Sequence, residues 1–208
     1  MKKAILIGGG EVDFKISEPI SEYFIICADR GVDNAIHLGL KPELVIGDMD
    51  SISDCNLLEI RRSNIHIIEY NPEKDKTDME LSLDYLASNG YKDIIVLGAT
   101  GTRLDHTLSN IFCLKKYKEM GIYVRIIDGH NIIQYLDDHL SFDKDDYKYS
   151  ILALSNDGIE VSLRGFYYDL DRHKIDFGSS LGISNYIYND KADILVHRGY
   201  GLLIKSKD

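Results

Sequence analysis

The strongest constraint on the fold is the order of the apolar segments along the chain. From Lys2 to about Asp128, short β-branched apolar runs alternate with longer segments in which apolar residues recur at helical spacing. This alternation is typical of βαβ units and predicts a mostly parallel sheet with right-handed crossovers. The predicted strands are Ala4–Ile7, Tyr23–Cys27, Leu44–Ile46, Ile65–Glu69, Ile94–Leu97 and Tyr123–Ile127. The predicted helices are Val32–Leu38, Asp54–Arg62, Asp78–Ala87 and Leu104–Met120.

The pattern changes after Gly129. The rest of the chain consists of short strand-like runs separated by Asp, Asn and Gly residues. These runs are Ile132–Leu136, Tyr149–Leu154, Ile159–Leu163, Ile194–His197 and Leu202–Ile204. We therefore predict two domains: an α/β domain with a Rossmann-like, mostly parallel sheet over residues 1–129, and an antiparallel β-sandwich over residues 130–208.

Charge and composition exclude several classes of protein. The 24 Lys and Arg residues against 34 Asp and Glu residues give a formal net charge of −10, which disfavours a nucleic-acid partner. No apolar run reaches the roughly 18 residues that span a membrane, and the apolar run before Gly8 is too short for a signal peptide. The 3 cysteines form no Cys-x-x-Cys pair, so neither a disulfide framework nor a thiolate zinc site is indicated. We expect a cytoplasmic protein that binds neither nucleic acid nor a membrane.

Polar clusters follow four successive predicted strands. They are residues 28–31, 47–51, 74–78 and 98–106. Because ligands of an open parallel sheet bind beyond the carboxyl ends of its strands, the four clusters predict one binding site at that edge.

Asp48 and Asp50 come directly after the third predicted strand. Two residues apart on an extended segment, their carboxylates point to the same side, and a hard divalent cation relieves their repulsion. Oxygen ligands without neighbouring His or Cys favour Mg²⁺ over zinc. The alternative is that Asp48 is a turn residue and that Asp50 caps the helix after Ser51.

The segment before the third predicted helix combines a helix cap with candidate ligands. Thr77 and Glu80 have the spacing of a capping box, with Thr77 as the N-cap. Asp78 then lies at the first helical position, where free backbone N–H groups keep it ionised and available as a third metal ligand. Lys74 and Lys76 either offset phosphate charge or face solvent.

The helix predicted from Leu104 has two faces. At about 100° per residue, Arg103, His106 and Asn110 fall on one side. The apolar side chains fall on another side and are predicted to pack against the domain: Leu104, Leu108, Ile111 and Phe112. Arg103 stands beside the helix N-terminus after a glycine-containing loop, which suits it to phosphate oxygens.

In their order, these motifs resemble those of the thiamine pyrophosphokinase family. They are Ala-Asp-Arg-Gly at 28–31, Gly-Asp-Met-Asp-Ser at 47–51, Lys-Asp-Lys-Thr-Asp-Met-Glu at 74–80, and Arg-Leu-Asp-His at 103–106. In the second half, the segment Phe177–Asn185 resembles that family's thiamine-side segment. The match runs from the first strand to the last.

The resemblance implies a fold and an activity. It implies an N-terminal α/β domain that binds ATP and Mg²⁺, a C-terminal β-sandwich that binds thiamine, and a homodimer whose active sites use both subunits. The implied reaction is Mg²⁺-dependent transfer of a pyrophosphoryl group from ATP to the thiamine hydroxyl, giving thiamine diphosphate and AMP.

The resemblance also assigns roles to residues. Mg²⁺ would be held by Asp48, Asp50 and Asp78, which with Arg103 form the predicted catalytic group. The predicted ATP site comprises Asp29, Arg30, Lys74, Asp75, Thr77, Arg103, Asp105, His106 and Asn110, with phosphate contacts from Lys74, Thr77 and Arg103. Thiamine would be bound with the help of Ser184 and Asn185.

Two other functions fit the same residues. Because Asp-x-Asp metal sites also serve sugar diphosphates, one is a metal-dependent nucleotide-sugar transferase. The other is a non-catalytic module that binds a nucleotide or thiamine. Release of a nucleoside diphosphate from a UDP-sugar, with no use of ATP, would favour the first. Binding of both ligands without product would favour the second.

Overall fold

The chain divides into two compact units, residues 1–129 and residues 130–208. The structure is a computed structural model, and it describes residues 1–12, 20–63, 65–71 and 73–207. Over these ranges, no helix is long and apolar enough to cross a membrane.

Six parallel strands form the sheet of the first unit, in the order β4-β3-β2-β1-β5-β6. They are β1 Lys2–Ile7, β2 Tyr23–Ala28, β3 Leu44–Gly47, β4 His66–Glu69, β5 Tyr91–Leu97 and β6 Tyr123–Ile127. The chain builds outward from β1 on one side and then starts again at β5 on the other. The strand order therefore reverses between β1 and β5, and loops diverge there to leave a crevice at the carboxyl ends of the strands.

Four helices connect these strands. They are α1 Gly31–His37, α2 Asp54–Arg62, α3 Asp78–Ser88 and α4 Leu104–Glu119, and a 3₁₀ turn covers Ile20–Glu22. Each helix begins and ends within one residue of its predicted bounds. Thr77 caps α3 as predicted, since its hydroxyl accepts the Glu80 N–H at 3.2 Å. The N-cap of α2 is Ser53, so Asp50 does not have the capping role considered for it.

The predicted packing face of α4 is wrong for its first half. Leu104, Leu108 and Phe112 are 67%, 43% and 56% exposed. The buried side chains of α4 are Leu114 and Tyr117, in its second half. This half is held against α3 by hydrogen bonds from Lys116 and Tyr117 to Glu80 and Asp84, which the spacing of apolar residues does not reveal.

The second unit is a sandwich of antiparallel strands. Its strands are β7 Asn131–Leu136, β8 Leu140–Asp143, β9 Lys148–Ala153, β10 Ile159–Arg164, β11 Leu170–Ile175, β12 Lys191–Arg198 and β13 Gly201–Ser206. One sheet has the order β7-β13-β9 and the other β11-β10-β12-β8. A shared core takes Tyr149 and Leu203 from the first sheet and Val161 and Ile194 from the second. The predicted fold class, α/β followed by a β-sandwich, is confirmed.

The sequence pattern misses strands β8 and β11. Both lie at an edge of the four-stranded sheet. Edge strands commonly carry charged residues that deter pairing with other chains, and β11 reads Leu-Asp-Arg-His-Lys-Ile with only Ile175 buried. The apolar alternation of β11 is therefore too weak to predict a strand, whereas β8 alternates but is only 4 residues long.

Candidate active site

A cleft of about 490 Å³ opens at the carboxyl ends of β1, β2 and β5, where the strand order reverses. Its volume is in the range of small-molecule sites. Its walls are the loops after β1, β2, β3 and β5, the first turn of α3 and the first two turns of α4. They comprise Gly8–Gly10, Ala28–Arg30, Ser51, Thr77–Met79, Gly98–Arg103, His106, Thr107 and Asn110.

One wall of the cleft is backbone. The loop after β1 is hydrogen-bonded to the loop after β5, with Gly10 N donating to Gly98 O at 2.8 Å. A Cβ atom on Gly10 would lie 2.0 Å from Thr100 O, so only glycine allows the two loops to approach this closely. Asn34 of α1 fixes the turn, because its Nδ2 donates to Gly8 O at 2.7 Å and to Gly10 O at 2.8 Å.

Three carboxylates meet beside this cleft. Asp29 follows β2, Asp48 follows β3 and Asp78 begins α3, and one oxygen of each lies within 4.8 Å of the others. They converge because β2 and β3 are parallel neighbours whose carboxyl ends share one sheet edge. We call Asp29, Asp48 and Asp78 the carboxylate triad.

Asp29 is held in an unusual conformation. Its φ of 45° is left-handed, a region that non-glycine residues seldom occupy away from functional sites. Gly47 makes room for it, since a Cβ there would lie 2.8 Å from the Asp29 Cβ. Oδ2 of Asp29 accepts a hydrogen bond from Ser51. Oδ1 of Asp29 is buried and has no hydrogen-bond partner among the described residues.

Lys74 is the cation of this group. Its Nζ lies 2.6 Å from Oδ1 of Asp78 and 3.7 Å from Oδ2 of Asp48. Burial tends to raise the pKa of Asp48, but hydrogen bonds with Asp50 and the charge of Lys74 hold it below its usual value. Burial, with the charges of Asp29 and Asp48, raises the pKa of Asp78 despite Lys74. Burial acts to lower the pKa of Lys74, but these carboxylates raise it, so the ammonium stays charged.

Asp50 adjoins the carboxylate triad but is not one of its members. Its side chain is exposed, and its backbone N–H approaches Oδ1 of Asp48 at 3.4 Å. A side-chain hydrogen bond to Asp48 and the repulsion of Asp48, Asp29 and Asp78 raise the pKa of Asp50. Of the predicted metal ligands, the structure therefore brings Asp48 and Asp78 together, and adds Asp29.

The other predicted ATP-site residues divide into two sets. Those that line the cleft are Asp29, Arg30, Thr77, Arg103, His106 and Asn110. Nδ2 of Asn110 donates to Ala99 O at 2.8 Å and so supports the loop after β5. Asp75 and Asp105 are exposed and are not among the lining residues. Nη2 of Arg103 lies 2.6 Å from Oδ2 of Asp105, and this contact lowers the pKa of Asp105 to about 2.

The two predicted thiamine residues, both in the second unit, have different environments. Asn185 is 4% exposed, and its side-chain amide is hydrogen-bonded to backbone groups. Oδ1 of Asn185 accepts from the N–H groups of Tyr168 and Tyr186, at 3.1 and 3.0 Å, and Nδ2 donates to Tyr168 O at 2.9 Å. Ser184 is exposed and left-handed, with a φ of 60°.

Sequence reasoning missed two supporting residues, Asn34 and Ser51. Ser51 lies inside the polar cluster that follows β3, so its position could have been inferred. Asn34 belongs to no motif; the only signal is a polar side chain one turn after Gly31, on a helix that packs on the sheet. Asp29 was expected to contact nucleotide, and the structure places it in the carboxylate triad.

Comparison with known proteins gives matches to both units. The family model for the thiamin pyrophosphokinase catalytic domain matches residues 20–126, and the model for the thiamin pyrophosphokinase vitamin B1 binding domain matches residues 139–200. Thiamine pyrophosphokinase of Bacillus subtilis (strain 168) is 33% identical over 186 residues, which cover 88% of this chain and 87% of that protein.

Solved structures give the same result. The crystal structure of thiamine pyrophosphokinase from Bacillus subtilis superimposes with a TM-score of 0.91 at 30% identity, covering 100% of both chains. That of thiamin pyrophosphokinase from Geobacillus thermodenitrificans gives a TM-score of 0.86 at 29% identity, covering 100% of this chain and 98% of the other.

The fold and these matches define an enzyme of the kinase type, a transferase. More narrowly, the chain belongs to the thiamin pyrophosphokinase family, as its ordered motifs led us to expect.

Proposed function

We propose that this protein transfers a pyrophosphoryl group from ATP to the hydroxyl of thiamine, forming thiamine diphosphate and AMP. The observation that carries the proposal is the carboxylate triad beside a glycine-walled cleft in a chain of this family. ATP and Mg²⁺ are assigned to residues 1–129, and thiamine to residues 130–208.

The cleft of the first unit fits a nucleotide triphosphate. The backbone of Gly8–Gly10 allows phosphates to approach closely, and Arg30 and Arg103 supply positive charge at the rim. His106 and Asn110 lie further along α4 and face the same cleft. Phosphate contacts are assigned to Lys74, in the loop before α3, and to Thr77 and Arg103, the N-cap residues of α3 and α4.

The carboxylate triad fits a divalent cation. Oxygens within 4.8 Å of one another need only small side-chain movements to share one ion, since Mg²⁺ binds oxygen at about 2.1 Å. Oδ1 of Asp29 is buried and has no partner among the described residues, which supports this assignment, because a buried oxygen without a partner is costly unless something binds it. An all-oxygen donor set favours Mg²⁺. Asp50 stays in the proposed ligand set, because its exposed carboxyl adjoins Asp48.

In the reaction, the thiamine hydroxyl oxygen bonds to the β-phosphorus of ATP. The bond from that phosphorus to the oxygen that bridges the α- and β-phosphates breaks, and AMP leaves with this oxygen. The hydroxyl proton passes to solvent or phosphate. When bound, Mg²⁺ neutralises negative charge on the phosphates. The chain's own contribution is positioning and charge: Lys74 and Arg103 hold phosphate oxygens, and the glycine loops fix the triphosphate for in-line attack.

Thiamine is assigned to the segment Phe177–Asn185 of the second unit. Ser184 presents an exposed hydroxyl there, whereas Asn185 is proposed to act by shaping the segment. Tyr186, which is stacked on Tyr167 with ring centroids 4.9 Å apart and has Nζ of Lys148 4.5 Å from its centroid, is the aromatic side chain proposed to lie beside the thiamine rings. A homodimer and a cytoplasmic location, both expected from the sequence, belong to the same proposal.

The test is a product assay. Purified protein with ATP, Mg²⁺ and thiamine is expected to form AMP and thiamine diphosphate in equal amounts. Asp48→Ala and Asp78→Ala should each lower this rate by at least about 10²- to 10³-fold, the usual cost of removing one group that stabilises developing charge. Asp143→Ala, a change at a carboxylate that is 86% exposed in the second unit, is the matched control and should be active.

Two results contradict the proposal. Near-normal turnover in Asp48→Ala or Asp78→Ala would remove the carboxylate triad from the reaction. Release of a nucleoside diphosphate from a sugar nucleotide, with no use of ATP, would replace the proposed reaction by sugar transfer.

A further inference from the structure

The ammonium group of Lys74 lies among the carboxylates that are proposed to bind the metal. Nζ of Lys74 is 2.6 Å from Asp78 and 3.7 Å from Asp48. The side chains of Lys74, Asp48 and Asp78 are only 15%, 14% and 21% exposed, so water screens these charges little. Lys74 therefore contacts two of the three carboxylates that a divalent cation would bind.

Two neighbouring cations among the described residues are engaged elsewhere. Lys76, two residues further along, pairs with Asp84 at 2.7 Å, and Arg103 pairs with Asp105 at 2.6 Å. Three carboxylates at this separation repel one another strongly unless a positive charge lies between them. Lys74 supplies that charge while no metal is bound.

We infer that Lys74 is the built-in counter-ion of the carboxylate triad, that it competes there with the divalent cation, and that it moves to the phosphates when the metal–nucleotide complex binds. The inference rests on the proposed function, because it takes Asp29, Asp48 and Asp78 as the metal site. It makes Lys74 a positioning residue with two alternating partners.

Competition follows from the distances. A metal bound at about 2.1 Å to the Asp78 oxygen that Lys74 contacts at 2.6 Å would lie within about 5 Å of Nζ. Like charges at this range oppose one another strongly. Lys74 lies outside regular structure, four residues before Asp78, and its ammonium is carried on a flexible four-carbon stem. It can therefore leave the carboxylates without disturbing α3.

The test uses Lys74→Met and measures binding in two states. Without nucleotide, titration with Mn²⁺ by calorimetry should show affinity about tenfold or more tighter than in the unsubstituted protein, the effect expected of removing a like charge at 4–6 Å. With Mn²⁺ and α,β-methylene-ATP, which cannot react, affinity for the nucleotide should instead fall about tenfold, because a charged phosphate contact is lost. A merely structural role would weaken both.

Two further variants separate contact from general charge. Lys76→Met removes the same charge two residues away, from a lysine whose partner is Asp84, and should bind Mn²⁺ as the unsubstituted protein does. Lys74→Arg keeps the charge and should not tighten Mn²⁺ binding. If Lys74→Met fails to fold, Lys74→Gln is measured in its place, with the same expected results.

The thermal midpoint gives an independent readout. Without a divalent cation, Lys74→Met should have a lower thermal midpoint than the unsubstituted protein, because the triad loses its counter-ion. Mn²⁺ should restore that midpoint and so shift it more than in either the unsubstituted protein or Lys76→Met.

Each failure points to a different error. Unchanged or weaker Mn²⁺ affinity in the Lys74 variants, with normal binding in the unsubstituted protein, would overturn the counter-ion role alone. Unchanged nucleotide affinity would overturn the transfer to phosphate. Absence of Mn²⁺ binding in the unsubstituted protein, with and without the nucleotide, would overturn the metal site and with it the proposed function.

Discussion

Asp29 in the first unit and Asn185 in the second differ in whether the fold supplies hydrogen-bond partners for their side-chain polar atoms. In the first unit, Oδ1 of Asp29 is buried without a partner among the described residues, and Asp29 itself is left-handed. In the second unit, Asn185 is only 4% exposed, but both ends of its amide are hydrogen-bonded to backbone. A satisfied amide stabilises a loop, whereas an unsatisfied carboxylate costs stability and is kept for what it binds. The unpaired carboxylate oxygen of Asp29 therefore marks the candidate site, whereas Oγ of Ser82, which is also buried without a partner among the described residues, does not line the cleft.

The largest effect is expected from Asp29→Asn. It removes one charge from the triad, and activity should fall about 10²- to 10³-fold. Stability should not fall, because asparagine tolerates a φ of 45° better than most residues and the repulsion from Asp48 and Asp78 is relieved. Steady-state rates and a thermal melt, both without and with Mg²⁺, check the two halves of this prediction.

The control for this variant is the shift in its thermal midpoint when Mg²⁺ is added. Addition of Mg²⁺ should raise the thermal midpoint of the unsubstituted protein more than that of Asp29→Asn. A variant that keeps its activity but melts lower would give Asp29 the structural role that we assign to Asn185, and the contrast between the units would fail.

Asn185→Ala should have the opposite effect. Removing its amide leaves the Tyr168 and Tyr186 N–H groups and the Tyr168 carbonyl without partners, at a cost of about 2–3 kcal/mol of unfolding free energy. At a temperature where the variant is folded, KM for ATP should be unchanged. Urea unfolding and steady-state kinetics are the measurements. Normal stability with a raised KM for thiamine would instead make Asn185 a direct thiamine ligand, as the family resemblance implies.

Asn34→Ala sharpens the comparison within the first unit. The side-chain amide of Asn34, like that of Asn185, is hydrogen-bonded to backbone. The backbone that Asn34 binds, at Gly8 and Gly10, forms the wall of the cleft. KM for ATP should rise about tenfold, roughly the value of one or two hydrogen bonds, while kcat changes less. The matched control is Asn89→Ala, which removes a similar amide–carbonyl bond, 2.8 Å long, to Tyr85 at the end of α3. Equal effects of the two variants on KM would contradict a positioning role for Asn34.

The sequence predicts the first unit well because its signals are local. Each helix lies between loops marked by polar residues or glycine, and apolar runs buried on both faces identify the parallel strands. The four polar clusters were predicted to share one edge, and the structure brings residues of all four to the cleft or its triad. Convergence of strand ends is a property of topology, so it could be inferred before any distance was known.

What could not be predicted depends on tertiary contacts. Asp50 was grouped with Asp48 by spacing alone, whereas Asp29 reaches the triad through strand pairing and a close approach to Gly47. Leu104, Leu108 and Phe112 were expected to pack because they share one face of a helix. The packed part of α4 is set instead by Tyr117, whose hydroxyl donates to Asp84 at 2.9 Å. No periodicity encodes that contact, since it joins residues 33 positions apart.

Substitution of Asp84 is expected to have the smallest effect. Asp84 belongs to the first unit, like Asp29, but its carboxylate is hydrogen-bonded, like the amide of Asn185. Its carboxylate accepts from Lys116 and Lys76, each at 2.7 Å, and from Tyr117 at 2.9 Å. Burial tends to raise the pKa of Asp84, but these hydrogen bonds lower it below its ordinary value of 3.8. A lowered pKa means that the unfolded chain binds the proton more readily, so the stabilisation is complete above pH 3.8 and is lost as the pH falls through the folded-state pKa.

Asp84→Asn should therefore lower the unfolding free energy by about 1 kcal/mol at neutral pH and by less in acid, while KM for ATP is unchanged. Urea unfolding from pH 7 downward measures the difference, with Asp143→Asn, an 86% exposed carboxylate, as the control that should not alter the acid slope. An equal loss at every pH would mean that Asp84 acts through packing and not through its charge. A raised KM for ATP would mean that the hydrogen bonds of Asp84 support the cleft. A polar group with all its partners would then contribute to the binding site as well as to stability.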